Sequence, residues 1–169
     1  MQKQLIFIAG TMGVGKTATA QALKKLLPAS VLLDGDWCWD MNPFVVNEQT
    51  KAMVQDNIVH LLDNFLSCPQ FDYVIFCWVM HQREIVQALL DALKADDYVF
   101  HFFALTCSPQ TLVGRLEADV LAGKRSGDVI DRSLPRLALY PPLGASLLDT
   151  TALSPQQAAK AIAGRVAPR

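Results

Sequence analysis

Short, nearly continuous apolar runs alternate along the chain with longer stretches whose apolar residues recur at helical spacing. The short runs are rich in β-branched and aromatic residues and predict strands at 4–9, 30–33, 73–78, 98–105 and 146–148. Runs without polar alternation are typical of strands that helices cover on both faces. The alternation of strands and helices therefore predicts one α/β domain over residues 1–169 with a parallel sheet.

Several helices are marked by periodicity or by their first residues. Residues 48–66 carry apolar side chains at helical spacing. Ser108 and Ser154 each place a capping hydroxyl before a proline, and Gln157 completes a capping box with Ser154. The segment 123–142 differs, because Gly, Ser, Asp, Arg and Pro are mixed in it. It is the predicted mobile lid of the domain.

Composition and charge exclude several classes of partner. Hydrophobic residues make up 51% of the chain, charged residues only 18%, and the net charge is −1. No long basic stripe is present, so a nucleic-acid partner is not expected. The apolar run at 5–9 is too short for a signal peptide or a membrane span, so no membrane association is expected. The scattered cysteines lack metal-ligand spacing and predict a reducing cytoplasmic location (Cys38, Cys68, Cys77, Cys107). A monomer or homodimer is expected.

The loop after the first predicted strand matches the phosphate-binding pattern G-x-x-x-x-G-K-S/T in full. A predicted helix over 18–27, ended by Pro28, follows it. Glycines let successive backbone N–H groups point at phosphate oxygens beside the positive end of the helix dipole. Lys16 adds a charge for the β- and γ-phosphates, and the Thr17 hydroxyl can bind magnesium. The predicted nucleotide-binding residues are Gly10, Thr11, Met12, Gly13, Val14, Gly15, Lys16, Thr17 and Ala18.

The position of the acidic residues separates classes of phosphate-loop protein. A small GTPase needs an N-K-x-D motif, which the chain lacks. A mechanical or AAA-type ATPase usually has a strand ending in Asp-Glu, whereas the run 73–78 ends without an acid. The acids stand instead at Asp34 and Asp36, directly after the second strand, where a parallel sheet places its ligands.

With its phosphate loop and Asp-x-Asp, the chain resembles the P-loop small-molecule and nucleotide kinases, especially the shikimate-kinase-like branch. The resemblance implies a five-stranded parallel sheet of order 2-3-1-4-5, helices on both faces and a short lid. It also implies ATP and Mg²⁺ as cofactors. Asp34 then corresponds to the acid on the magnesium side. Asp36 corresponds to the acid on the substrate side and is the candidate general base.

The resemblance extends to arginines in the second half of the chain. Arg115, in the helix after Ser108, matches an arginine that stacks over adenine. Arg136 begins an R-x-x-L-Y stretch whose arginine contacts the substrate. Arg125 and Arg132 fall in the lid, where such kinases keep arginines that neutralise the transferred phosphate. The resemblance therefore implies catalytic roles for both lid arginines, together with Lys16 and Asp36.

The acceptor region departs from shikimate kinases, which have a glycine triplet after the third strand and an arginine in the second long helix. Here the third strand is followed by His81, and the helix over 48–66 has no arginine. Shikimate is therefore rejected as the acceptor. Aromatic residues replace the clamp and suit a planar or apolar-faced acceptor (Trp37, Trp39, Phe44 and Trp78). The candidate substrate-binding residues are Asp36, Trp37, Trp78, His81 and Arg136.

Each of these features also has a structural interpretation. Asp34 and Gly35 can form a simple turn, the aromatic residues can pack in the core, and the lid arginines can be solvated charges. His81 can cap the next helix, while His60 and His101 are expected to be structural.

The sequence predicts a magnesium- and ATP-dependent kinase that phosphorylates a hydroxyl of a small molecule, such as a nucleoside, a sugar or an antibiotic-like compound. A nucleoside monophosphate kinase is the first alternative, although 36–66 contains no arginine for a phosphate acceptor and offers only Lys51. A nucleotide-binding module that switches a partner without chemistry of its own is the second alternative.

Overall fold

The computed structural model describes residues 2–166 and shows a five-stranded parallel sheet flanked by helices. The strand order is β2-β3-β1-β4-β5, so the predicted fold class and order are confirmed. Each strand lies within one residue of its predicted bounds. The strands are β1 (Lys3–Ala9), β2 (Ser30–Asp34), β3 (Tyr73–Trp78), β4 (Tyr98–Thr106) and β5 (Ser146–Asp149).

The helices begin where the capping residues predicted them. Ser108 accepts a hydrogen bond from the backbone N–H of Thr111 at the start of α4. Ser154 and Gln157 form the reciprocal capping box of α6. The helices are α1 (Lys16–Leu26), α2 (Glu48–Ser67), α3 (Arg83–Ala92), α4 (Pro109–Leu121), α5 (Val129–Ser133) and α6 (Pro155–Val166). None of these helices within residues 2–166 is long and apolar enough to cross a bilayer.

The position of β1 in the middle of the sheet explains why its sequence is apolar at every residue from Leu5 to Ala9. Every residue from Leu5 to Ala9 has 0% exposure, since helices pack on both faces of β1. Ile6 and Ile8 face the layer of α1 and α6, whereas Leu5 and Phe7 face the layer of α2 and α3. This double burial fixes the sheet in the middle of the domain and leaves its carboxyl edge as the open side.

The predicted lid at 123–142 is more ordered in its second half than its composition suggested. After α5, two 3₁₀ turns follow at Leu134–Leu139 and Pro141–Leu143. Val129 and Tyr140 are buried, and the Tyr140 hydroxyl donates to the Val79 carbonyl at 2.7 Å. These anchors hold the second half of the segment against the domain, whereas 123–128 contains no buried residue.

Candidate active site

Three strands deliver the candidate functional residues to one edge of the sheet. Ala9 pairs with Trp78, and Asp34 pairs with Cys77, in the parallel register of β1, β2 and β3. The phosphate loop follows Ala9 directly. The loop, Asp34 and Trp78 therefore meet at the carboxyl edge, as parallel topology requires.

The phosphate loop has the backbone conformation that its glycines permit. Gly13 and Gly15 have φ angles of +83° and +100°, a region that other residues rarely adopt. A Cβ atom at Gly13 would also lie 2.5 Å from Leu116 Cδ2, so α4 packs directly on the loop. The loop is thus shaped by both torsion angle and close packing.

The Lys16 ammonium curls back over this loop and donates to the Thr11 carbonyl at 3.0 Å. Burial lowers the pKa of Lys16, while Asp36, Cys77 and Asp34 oppose that shift. The nearby carboxylates offset only part of the cost of burying the Lys16 ammonium. An added anion would be attracted to this ammonium, because it would offset the remaining cost.

Asp34 links the phosphate loop to the start of the acceptor side. One of its carboxylate oxygens accepts from the Thr17 hydroxyl at 2.6 Å, and the other accepts from the Asp36 backbone N–H at 3.0 Å. Asp34 is only 4% exposed. The hydrogen bond from the Asp36 N–H caps the 3₁₀ turn Gly35–Trp39, so Asp34 does begin a turn. The same carboxylate also contacts Thr17, so the turn is compatible with a magnesium site there.

Asp36 projects from that turn beside the same loop. Although Asp36 is an exposed residue, partial desolvation of its carboxyl group first, and then the neighbouring Asp34 carboxylate, raise the pKa of Asp36 above its ordinary value. Lys16, the Trp78 indole and Arg125 act in the opposite direction. The carboxyl group therefore stays protonated to a higher pH than an ordinary aspartate.

The glycine between the two acids is explained by packing and not by its torsion angles. A Cβ atom at Gly35 would lie 2.5 Å from Cγ and 2.9 Å from Cβ of Trp78. Gly35 is buried, and its φ lies outside the positive range. Trp78 thus rests against the backbone of the Asp-x-Asp turn and holds it at the edge of β3.

Replacing Gly35 with alanine is expected to displace Trp78 and to lower the free energy of unfolding by about 1–3 kcal/mol, as overpacking does. Chemical denaturation measures the loss, and tryptophan emission reports the displaced indole. Gly114→Ala is the matched control, since no atom lies within 4 Å of a Cβ there and alanine favours the helix. Unchanged emission and stability in Gly35→Ala would contradict this packing role.

A cavity of about 360 Å³ lies on the other side of the phosphate loop, between α4 and α6. Arg115 forms one wall and donates to the Thr150 carbonyl at 2.7 Å and to the Val14 carbonyl at 3.2 Å. The guanidinium plane is therefore fixed beside the cavity. Thr150, the first residue after β5, is a wall residue that the predicted site omitted.

The structure separates the two lid arginines. Arg125 forms a 3.0 Å ion pair with Asp119, and its charge acts on both Lys16 and Asp36. Arg132 pairs with Asp128 one turn away at 2.9 Å, and its side chain is 53% exposed. The structure thus brings Arg125, but not Arg132, to the phosphate loop. Both arginines fall in the predicted lid and received the same predicted role, and their ion pairs distinguish them.

The predicted substrate-binding residues line a second, larger cleft of about 900 Å³. Asp36, Trp37, Trp78, His81 and Arg136 all lie in its wall. Trp39 and Phe44, also named from the sequence, are there too, with ring centroids 6.1 Å apart. The sequence-based site omitted the remaining lining residues, which are Asp40, Val46, Lys51 and Val79.

The expectation that His81 caps the following helix is wrong. Helix α3 has Gln82 at its N-cap and receives no side-chain cap hydrogen bond. The His81 ring is half-buried, and its Nδ1 has no hydrogen-bond partner among the described residues. Burial and then Arg136 lower the pKa of His81, so the ring is neutral at physiological pH. In contrast, His101 Nε2 lies 2.8 Å from Gln4 Oε1 and is structural, as predicted.

The fold and the loop define the chain as a P-loop protein with a kinase-like fold. The model of the family described as an AAA domain matches residues 6–129, and the chain belongs to this family. The argument from the acid-free end of β3 had set the chain apart from AAA-type ATPases. The description of the family does not bear on that argument, because β3 of this chain does end at Trp78 without an acid, and the predicted P-loop class is confirmed.

Solved structures with the same fold include several small-molecule kinases. The Deinococcus radiodurans tunicamycin resistance protein is 23% identical, with a TM-score of 0.75 over 99% of this chain and 98% of that chain. A sugar kinase from Janibacter sp. is 15% identical, with a TM-score of 0.68 over 96% and 93% of the two chains. Shikimate kinase from Acinetobacter baumannii is 16% identical, with a TM-score of 0.63 over 97% and 93%. These identities show the shared fold alone, and comparison with curated proteins finds no match.

Proposed function

We propose that the protein is a kinase that uses ATP and Mg²⁺ to phosphorylate a hydroxyl group of a small molecule. One observation carries the proposal: the phosphate loop lines one cavity through Gly13 and Gly15, while Asp36, on which the charges of Lys16 and Asp34 act, lines a separate, larger cleft. The smaller cavity borders the phosphate loop and Arg115, and the larger cleft borders Asp36. This arrangement suits transfer from a nucleotide on one side to an acceptor on the other.

The nucleotide side of the site offers positive charge to the phosphates, although the chain as a whole has no excess of basic residues. The loop N–H groups and the start of α1 favour phosphate oxygens, and Lys16 follows the β- and γ-phosphates. Arg125 already acts on Lys16, and release from Asp119 would let it approach the transferred phosphate. Arg115 would hold a nucleobase against the cavity wall. Arg132 needs a change of conformation before it can contribute, because Asp128 holds it in this structure.

The Thr17 and Asp34 pair fits a magnesium ion by its chemistry. Hydroxyl and carboxylate oxygens are the hard donors that Mg²⁺ prefers, and the two groups already lie 2.6 Å apart. A magnesium ion at this pair would take its remaining ligands from nucleotide phosphates and water. When bound, magnesium neutralises developing charge on the phosphates.

Asp36 is the proposed general base on the acceptor side. Its carboxylate accepts the proton of the acceptor hydroxyl as the oxygen attacks the γ-phosphorus and the bond to the β-phosphate oxygen breaks. The raised pKa of Asp36 makes it a stronger base than an ordinary aspartate once it is deprotonated. Trp78 fixes the turn that carries Asp36, which keeps the carboxylate beside the loop.

The charges of the acceptor cleft argue against a monophosphate acceptor. Its ionised side chains are two carboxylates, Asp36 and Asp40, and two cations, Lys51 and Arg136. Lys51 is also paired with Glu48 at 2.9 Å. A dianionic phosphate would face this balanced set with Arg136 as its one cation outside the ion pairs found within residues 2–166, whereas a neutral hydroxyl compound needs no excess charge. We therefore rank the monophosphate kinase below the hydroxyl kinase.

A two-ligand thermal-shift screen tests the proposed function. The protein is heated with Mg²⁺ and a non-hydrolysable ATP analogue, alone and with sugars, sugar acids, nucleosides, nucleoside monophosphates and nucleoside antibiotics. The panel includes tunicamycin, named by one structural neighbour. A ligand at a hundredfold excess over its Kd adds about 2.7 kcal/mol to stability, which is readily measured. Hits are then assayed for ADP release with ATP. A nucleotide shift without transfer to any acceptor would favour the switch module, and selective turnover of monophosphates would reverse our ranking.

A further inference from the structure

The exposed large apolar side chains are concentrated at the mouth of the acceptor cleft. Phe44 is 68% exposed, Val46 54% and Trp37 53%, and all three line the cleft. Val45, which lies between Phe44 and Val46 in the chain, is also exposed, at 39%. An apolar patch that continues into a substrate cleft indicates that part of the ligand is apolar.

The patch is supported from below by aromatic packing. Trp39 packs against the core layer of α2 and α3, and its ring lies 6.1 Å from that of Phe44 at an interplanar angle of 54°. Phe44 is therefore held toward the cleft by a half-buried neighbour. The capping box of Asn47 and Thr50 then fixes the start of α2 directly after Val46. The mouth is a built surface at the junction of two ordered elements.

The inner end of the cleft has the opposite character. Asp36, its partner Trp78 and Arg136 supply the polar groups there, and His81 is neutral. The cations are matched by carboxylates, so this end suits hydroxyl groups and not multiple anionic groups. The cleft thus changes from polar at the reacting carboxylate to apolar at the solvent edge.

We propose that the acceptor is amphipathic, with an uncharged hydroxyl-bearing head at Asp36 and an apolar chain or ring over Trp37, Phe44 and Val46. This inference rests on the proposed function and names the class of its acceptor. The apolar part of the ligand provides affinity by covering the patch, while the head presents the hydroxyl to the phosphate. Affinity then depends on the length of the apolar part.

The chain carries its own reporter for this proposal, because all three of its tryptophans line the cleft (Trp37, Trp39 and Trp78). Methyl, butyl, hexyl and octyl β-D-glucosides, each below its critical micelle concentration, are titrated while tryptophan emission is recorded. The transfer free energy of a methylene predicts that Kd falls by about twofold to fourfold for each added CH₂, the lower value applying to partial burial.

Two variants identify the surface responsible. The double variant F44S/V46S is expected to flatten the series, so that butyl and octyl glucosides differ by less than about fourfold in Kd, because the covered apolar area is lost. L121S is the matched control, since Leu121 is 89% exposed but lies at the end of α4, outside the cleft lining. It should keep the wild-type dependence on chain length.

The outcomes separate this inference from the proposed function. Equal or undetectable binding across the wild-type series overturns the amphipathic acceptor, even if ADP release shows that a short polar acceptor is phosphorylated. A Kd that falls with chain length as steeply in F44S/V46S as in the wild type also overturns it. Chain-length-dependent binding that the double variant removes supports the inference. If no acceptor is then phosphorylated, the proposed kinase function fails while the amphipathic binding site stands.

Discussion

Replacing Lys16 with alanine is expected to abolish phosphoryl transfer, lowering kcat by about a thousandfold or more, as losing a preorganised charge in a transition-state site does. Lys16 is the basic residue within the phosphate loop, and its ammonium rests on the Thr11 carbonyl at 3.0 Å. Steady-state ADP release with a hit from the acceptor screen measures the loss. Binding of the ATP analogue should also weaken, because a charge on the β- and γ-phosphates is lost.

The same change should not reduce the stability of the protein without ligand. Burial lowers the pKa of Lys16, so the charged form costs folding free energy and its removal relieves that cost. We therefore expect an unchanged or higher Tm for Lys16→Ala in the absence of nucleotide. Lys25→Ala, at an exposed position on the same helix, is the control and should keep full turnover. Full activity of Lys16→Ala would refute the proposed kinase function.

Replacing Asp36 with asparagine is expected to lower kcat by about a hundredfold to a thousandfold, in the range for a lost general base. The amide keeps the size of the side chain but cannot accept the hydroxyl proton. The wild-type rate should fall as the pH is lowered through the raised pKa of Asp36, since only the deprotonated carboxylate acts as the base. This acid limb lies above the ordinary aspartate value, and the asparagine variant should lack it.

The pH profile distinguishes a base from a residue that only shapes the cleft. Measurement of kcat/KM from acidic to neutral pH shows whether the limb is present, because this ratio reports the pKa of the free enzyme, and kcat at neutral pH gives the size of the loss. Asp56→Asn on α2 is the matched control, because Asp56 is exposed and does not line the acceptor cleft. An asparagine variant that is slow but keeps the wild-type acid limb would assign the base to another group.

Local sequence was sufficient to predict the strands and the phosphate loop. The run through β1 is apolar at every position because both faces are covered, and that double burial is visible in the sequence as missing alternation. The glycine-rich loop was equally readable, since its residues are consecutive and the positive φ angles at Gly13 and Gly15 need glycine. The capping hydroxyls of α4 and α6 belong to the same group of local signals.

The lid was harder to interpret because its ordering depends on distant residues. Its mixed composition indicated mobility, but Tyr140 reaches the Val79 carbonyl, and Thr11 donates to the Ser133 carbonyl at 2.9 Å. No local pattern encodes these partners. Arg125 and Arg132 also received the same predicted role from the sequence. Their ion-pair partners, Asp119 and Asp128, became known only from the structure.

The sequence by itself determined the strand order through family resemblance, the phosphate loop through a contiguous motif, and the aromatic character of the acceptor region through composition. Only the tertiary structure decided how these parts meet. The parallel register of β2 and β3 puts Trp78 against Gly35, and the segment after the 3₁₀ turn brings Phe44 and Val46 to the mouth of the same cleft. Such contacts join residues far apart in the chain, and they exist only after the sheet has formed and the helices have packed on its two faces.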